Sequence, residues 1–129
     1  MKMRLLDEMF LPDADAQGTV LRLNAAHPIY QLHFPGHPIT PGVCLVQMLG
    51  ELLERKTGLR LELARIVNLK FVHALAPEEA PLIAVDFDSV TATSEEDLHA
   101  KGTITANGEV ATKFSLIWHT SSQPISPLP

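Results

Sequence analysis

One cysteine, Cys44, occurs in the 129 residues. A lone thiol excludes an intrachain disulfide and a cysteine-rich metal site. Basic residues are also in short supply: ten Lys and Arg stand against fifteen Asp and Glu, the formal net charge is -5, and the two signs are interspersed. Phosphate binding needs a concentrated basic surface, so nucleic acid is not an expected partner. A long hydrophobic run is missing as well. The apolar stretch after Met1-Lys2-Met3-Arg4 is broken at Asp7 and Glu8, which leaves neither a signal-peptide core nor a membrane span and places the chain in the cytoplasm. There is no internal repeat. What is present is a hydrophobic content of 46%, enough for one domain with its own core at this length and too little chain for two.

Along the chain, Pro12-Asp13-Ala14-Asp15 reads as a turn, and the alternation of Thr19, Leu21 and Leu23 with Val20 and Arg22 predicts a short strand from Gly18 to Asn24. From His33 to Gly42 three prolines and two glycines preclude regular structure and make a constrained loop. Thr40 then offers an N-cap and Pro41 a first helical position for a helix over Val43 to Lys56, with Gly58 as its stop. Gln47, Glu51, Glu54 and Arg55 form one polar stripe on that helix; apolar residues cover most of the rest, so other structure must wrap it. Four strand-like segments follow, Leu61 to Val72, Leu82 to Val90, Leu98 to Ala106 and Glu109 to Trp118, the last two joined by Asn107-Gly108, a type I′ hairpin turn. These elements make an α+β chain in which a curved antiparallel sheet is wrapped around one long central helix. We expect a single domain over residues 1–120 and a disordered Ser/Pro-rich tail over 121–129.

That arrangement is the hot-dog fold, and one motif supports it. The run His33-Phe34-Pro35-Gly36-His37-Pro38-Ile39-Thr40-Pro41-Gly42-Val43 resembles the His-Phe-Pro-Gly-x-Pro-x-x-Pro-Gly-Val signature of the bacterial 3-hydroxyacyl-[acyl carrier protein] dehydratases. The likeness extends more weakly to Pro28-Ile29-Tyr30, to Asn68-Leu69-Lys70-Phe71 and to Gly102 through Phe114. It implies a dehydratase of 3-hydroxyacyl thioesters in fatty-acid or related polyene lipid synthesis, with His33 as catalytic base and the backbone at Gly42 and Val43 receiving the thioester carbonyl. It also implies an acyl tunnel beside the helix, with Phe34 among the substrate contacts, and a homodimer or a higher assembly of dimers. No cofactor or metal is implied, because the substrate arrives on phosphopantetheine, carried by acyl carrier protein or as an acyl-CoA. The chemistry fits the residue types. Histidine titrates near neutral pH and so can act as a base, and free N–H groups at a helix start, aided by its dipole, suit an enolate oxygen.

The chain departs from this family at two positions. Fourteen residues after the histidine the family has Glu or Asp, and here stands Gln47. An amide cannot give a proton to a departing hydroxide, but it can hold a hydroxyl or a water by hydrogen bonds. Glu51, one turn further on the same face, is a candidate displaced acid and substrate contact, although about 6 Å of axial rise separates the two positions. Leu32 replaces the glycine that the family has before the histidine. Two alternatives to the dehydratase therefore stand: an acyl-thioester-binding subunit that no longer eliminates water, and a thioesterase with Glu51 activating water. His37 lies four residues after His33, but prolines between them preclude a helix and no third ligand is evident, so a metal site is not expected. Cys44, Tyr30 and Trp118 read as core.

Overall fold

The computed structural model describes residues 4–13, 19–32 and 36–121. The expected tail beyond Ser121 lies outside the described residues, as do His33, Phe34 and Pro35. The elements in chain order are β1 (Phe10–Pro12), β2 (Val20–Leu23), α1 (Pro28–Leu32), α2 (Gly42–Thr57), β3 (Leu61–Phe71), β4 (Leu82–Ala92), β5 (Asp97–Ala106) and β6 (Glu109–Thr120). All strands join one antiparallel sheet in the order β1-β2-β4-β5-β6-β3. The four long strands and the central helix were legible in the sequence, with ends displaced by one or two residues. Asn107 and Gly108 both adopt positive φ, 54° and 77°, as the type I′ turn requires.

Helix α2 lies against the inner face of the sheet, which is lined by Phe114, Leu116 and Trp118 of β6 and by Leu98, Ala100 and Ile104 of β5, all buried. Two helical glycines allow the close approach. A Cβ on Gly42 would stand 2.6 Å from the Phe71 ring, and one on Gly50 would stand 2.7 Å from the Trp118 indole. Gly58 ends the helix in the left-handed conformation, its N–H returned to the Glu54 carbonyl, the stop expected of glycine.

Three features differ from the sequence reading. Thr40 does not cap the helix: Pro41 is the N-cap and no side chain caps it, because the Thr40 hydroxyl is bound to the buried Tyr30 hydroxyl at 2.8 Å. The polar stripe of the helix is not wholly solvated. The N-terminal segment, with Leu5, Leu6, Met9 and Phe10 all buried, covers it at Glu51. Finally, β1 and α1 were not expected; each is too short, at three and five residues, to leave a periodic signal.

Candidate active site

The helix start is where the sequence motif meets the fold. Pro41 carries no N–H, so the first donors of α2 are Gly42 and Val43; Cys44 and Leu45 already turn back to the Pro41 carbonyl. The Gly42 and Val43 N–H groups have no partner among the described residues. This is the ordinary condition of a first helical turn that lacks a side-chain cap. The Phe71 ring packs on Gly42 from β3, and the Thr112 hydroxyl, directly across from Phe71 in the sheet, is buried with no partner among the described residues. The approach to the helix is held at two points. Besides the Tyr30 bond, the Thr40 N–H donates to the Leu75 carbonyl at 2.7 Å. Burial pushes the Tyr30 hydroxyl pKa above its ordinary value, despite the opposing bond to Thr40, so it stays a neutral phenol at physiological pH. Sequence reading had taken Tyr30 as packing only; the signal available was that a buried tyrosine hydroxyl needs a partner.

Gln47 is half-buried on the helix face that carries Val43, about 7 Å of axial rise beyond Gly42. Its amide nitrogen donates to Glu51 Oε2 at 3.0 Å. Glu51, expected among the substrate contacts, faces the chain's own N-terminus. Its Oε1 accepts the Leu5 and Leu6 N–H groups at 3.1 and 2.9 Å, and its Oε2 accepts Leu5 N–H at 3.1 Å in addition to Gln47. A carboxylate has about four lone-pair sites, and here both oxygens are engaged by three N–H groups, that of Leu5 being shared between them. The residue is buried, and its oxygens face the chain's own donors on the described side of the helix. Val43 is the most open part of the site, 74% exposed. His33 and Phe34 lie outside the described residues, so the histidine is not among the groups the structure brings together here. Cys44 is buried in the core, and burial raises its thiol pKa above the ordinary value. The described residues contain no cluster of His, Cys, Asp or Glu arranged to hold a metal ion.

One long helix held in the concavity of a six-stranded antiparallel sheet defines a hot-dog protein. Among solved structures, the BH2602 protein from Bacillus halodurans with CoA matches at TM-score 0.56 and 12% identity, covering 90% of this chain and 75% of that one. The dehydratase heterocomplex ApeI:P from Xenorhabdus doucetiae matches at TM-score 0.55 and 16% identity, covering 83% and 92%. Both likenesses bear on the fold. In sequence, a family model described as ApeI dehydratase matches residues 12–109. The 3-hydroxyacyl-[acyl-carrier-protein] dehydratase FabZ of Acetivibrio thermocellus is 32% identical over 101 residues, covering 70% of this chain and 67% of that one. FabZ of Syntrophomonas wolfei is 29% identical over 107 residues, covering 78% and 72%. The chain belongs to the ApeI-like dehydratase family.

Proposed function

We propose that this protein dehydrates 3-hydroxyacyl groups carried as phosphopantetheine thioesters, on acyl carrier protein, in the cytoplasm and as a homodimer. The observation that carries the reading is the helix start: two N–H groups, on Gly42 and Val43, without a partner among the described residues, at the end of a His-Phe-Pro-Gly motif and at the positive end of a 16-residue helix. A thioester oxygen placed there accumulates charge as the C2 proton leaves, and fixed donors stabilise that charge more than they stabilise the neutral carbonyl. In this reading His33 takes the C2 proton and the C2 electron pair forms the C2=C3 bond. The 3-hydroxyl departs, protonated by the imidazolium, so that one water leaves and the histidine ends neutral. Gln47 orients that hydroxyl or a relaying water. Its amide nitrogen donates to Glu51, which fixes the side chain on the helix face where it would serve. Glu51 accepts from Leu5, Leu6 and Gln47, an engagement that speaks against its activating water as the thioesterase alternative requires.

Gln47 also favours a second reading, an acyl-thioester-binding subunit that no longer eliminates water. The test is to mix the purified protein with a medium-chain 3-hydroxyacyl-[acyl carrier protein], and separately with the 2-enoyl thioester, and follow loss or gain of water by mass spectrometry. Interconversion by the native protein and not by His33→Ala supports the enzyme; binding of the acylated carrier without interconversion supports the binding subunit. Gln47→Glu alone is a confounded test. It places a second carboxylate against Glu51, and two such groups at that distance do not both ionise. The informative variant is Gln47→Glu combined with Glu51→Gln, which exchanges acid and amide within the same pair.

A further inference from the structure

The sheet has a second face, turned away from helix α2, and cations gather on it. Lys70 of β3 stands across from Lys113 of β6, and Lys101 of β5 stands across from Ser115, two residues further along β6. Arg65 of β3 stands across from Ile117, the next outward residue of β6. Adjacent strands are about 4.8 Å apart, so these four exposed side chains surround Ser115 within the reach of lysine and arginine arms. The chain has ten Lys and Arg against fifteen Asp and Glu, yet four of the ten meet here. None of the four forms an ion pair with a described residue. The carboxylates bordering the patch, Asp86, Asp88 and Glu109, leave them unpaired, and Glu109 stands 3.7 Å from His73 instead. Like charges directly opposite destabilise a sheet, so Lys70 and Lys113 carry a cost that the described chain does not offset.

The floor of the patch is polar and fixed. Ser115 is buried, and its hydroxyl is bonded to His99 Nε2 at 2.7 Å. We infer that this face binds a phosphate-type anion above Ser115, a di- or triphosphate group rather than a single carboxylate. Lysine offers a point charge with three donors and arginine a planar fork that matches phosphate oxygens. Here such groups are spread over three strands, about 10 Å, which fits an anion that distributes several charges over several oxygens. The patch is only a few residues wide in a chain of net charge -5, which suits a compact anion and not a nucleic-acid backbone. A freely diffusing phosphate compound and the phosphate headgroups of a lipid surface share this chemistry. The sheet separates the patch from Gly42 and the helix start, so the inference is independent of the dehydratase reading.

Titration of the purified chain with inorganic diphosphate, followed by calorimetry and amide NMR against sodium chloride of equal ionic strength, tests it. Binding is saturable, and the shifts centre on Lys70, Lys101, Lys113 and Ser115. Lys101→Gln and Lys113→Gln each weaken binding about tenfold or more, the loss of one charge-assisted hydrogen bond. Lys56→Gln, on helix α2 and so across the sheet, leaves it unchanged. In chloride the Lys113→Gln chain melts at or above the native temperature; in diphosphate the order reverses, because a ligand stabilises the form that binds it. Vesicles distinguish the sources. Sedimentation with phosphatidylglycerol but not phosphatidylcholine vesicles, lost in the same variants, assigns a lipid headgroup, and diphosphate binding without it assigns a free anion. Binding of neither probe beyond the chloride reference, shifts centred on Gly42 and Val43, or variants that bind as the native chain does each overturn the inference, as does a Lys113→Gln chain that loses stability in chloride.

Discussion

Removing the Glu51 carboxylate should strain the hold of the N-terminal segment on the helix without releasing it. Glu51→Ala leaves the Leu5 and Leu6 N–H groups, now satisfied at 2.9–3.1 Å, buried without acceptors. Each such group costs about 1–3 kcal/mol when left unpaired in the interior, so the two together cost about 2–6 kcal/mol if the segment stays in place. The loss is capped by the alternative of letting the segment go. Leu5, Leu6, Met9 and Phe10 are each almost wholly buried, and at about 1.5–3 kcal/mol per side chain release costs more than the unpaired amides, so the segment is held but strained. Against a total stability of about 5–15 kcal/mol, that is a large fraction. Glu51→Gln keeps one acceptor oxygen and should cost about half as much, because its NH₂ faces a donor. The assay is urea unfolding, in which the midpoint falls while the slope is unchanged, together with amide hydrogen exchange at Leu5 and Leu6. A midpoint shift worth less than about 0.5 kcal/mol, the range of ordinary surface substitutions, with unchanged exchange at both amides, would refute the anchoring role.

Other substitutions and conditions have equally definite outcomes. Gly50→Ala should destabilise by about 1–3 kcal/mol although alanine is the better helix former, since its Cβ would lie 2.7 Å from the buried Trp118 ring; thermal unfolding checks it. Gly102→Ala is expected to cost more, because its Cβ would lie 1.9 Å from the Asp86 carbonyl oxygen and must part β4 from β5. The hydrogen bond that the His119 ring donates to the Asp97 carboxylate, helped by nearby Glu96 and Glu62, raises the His119 pKa above its ordinary value. The His119 pair therefore contributes below the ordinary histidine pKa and is lost as pH rises through the raised one, an effect kept small by solvent exposure; a histidine proton titration with its midpoint at or below the unfolded value contradicts this. Cys44 should react with a thiol reagent only on global unfolding, being buried with a raised pKa, and labelling at the unfolding rate is the check.

The sequence made the long elements legible because each carries a strong local signal: two-residue alternation in β3 to β6, the Asn107-Gly108 turn, and an apolar helix closed by Gly58. The helix start was legible only in part. Pro41 and Gly42 marked the place, but assigning Thr40 as cap rested on its type, and its hydroxyl was drawn instead to Tyr30, ten residues away in sequence. The bonds that Glu51 makes were not legible for a related reason. Helical spacing put it on the polar stripe with Gln47, correctly, yet nothing local tells that residues 45 and 46 positions earlier fold back over it. Side-chain to backbone bonds across such separations leave no periodic trace.

The strand order has a consequence for how the chain reaches this state. Strands β4, β5 and β6 follow one another as neighbours in space, so their hairpins close short loops early. Strand β2 must find β4 across some sixty residues, Val20 to Ala84 and Leu21 to Ile83, and β3 must be carried past the meander to the far side of β6. Loop-closure entropy delays such pairings, so folding should proceed on the slower scale typical of sheets rich in distant contacts. It should pass through a meander whose β6 edge is briefly bare. For that interval the vacant edge is open to β3 of any chain, its own or a neighbour's, and strand exchange between protomers becomes the characteristic error of refolding at high concentration.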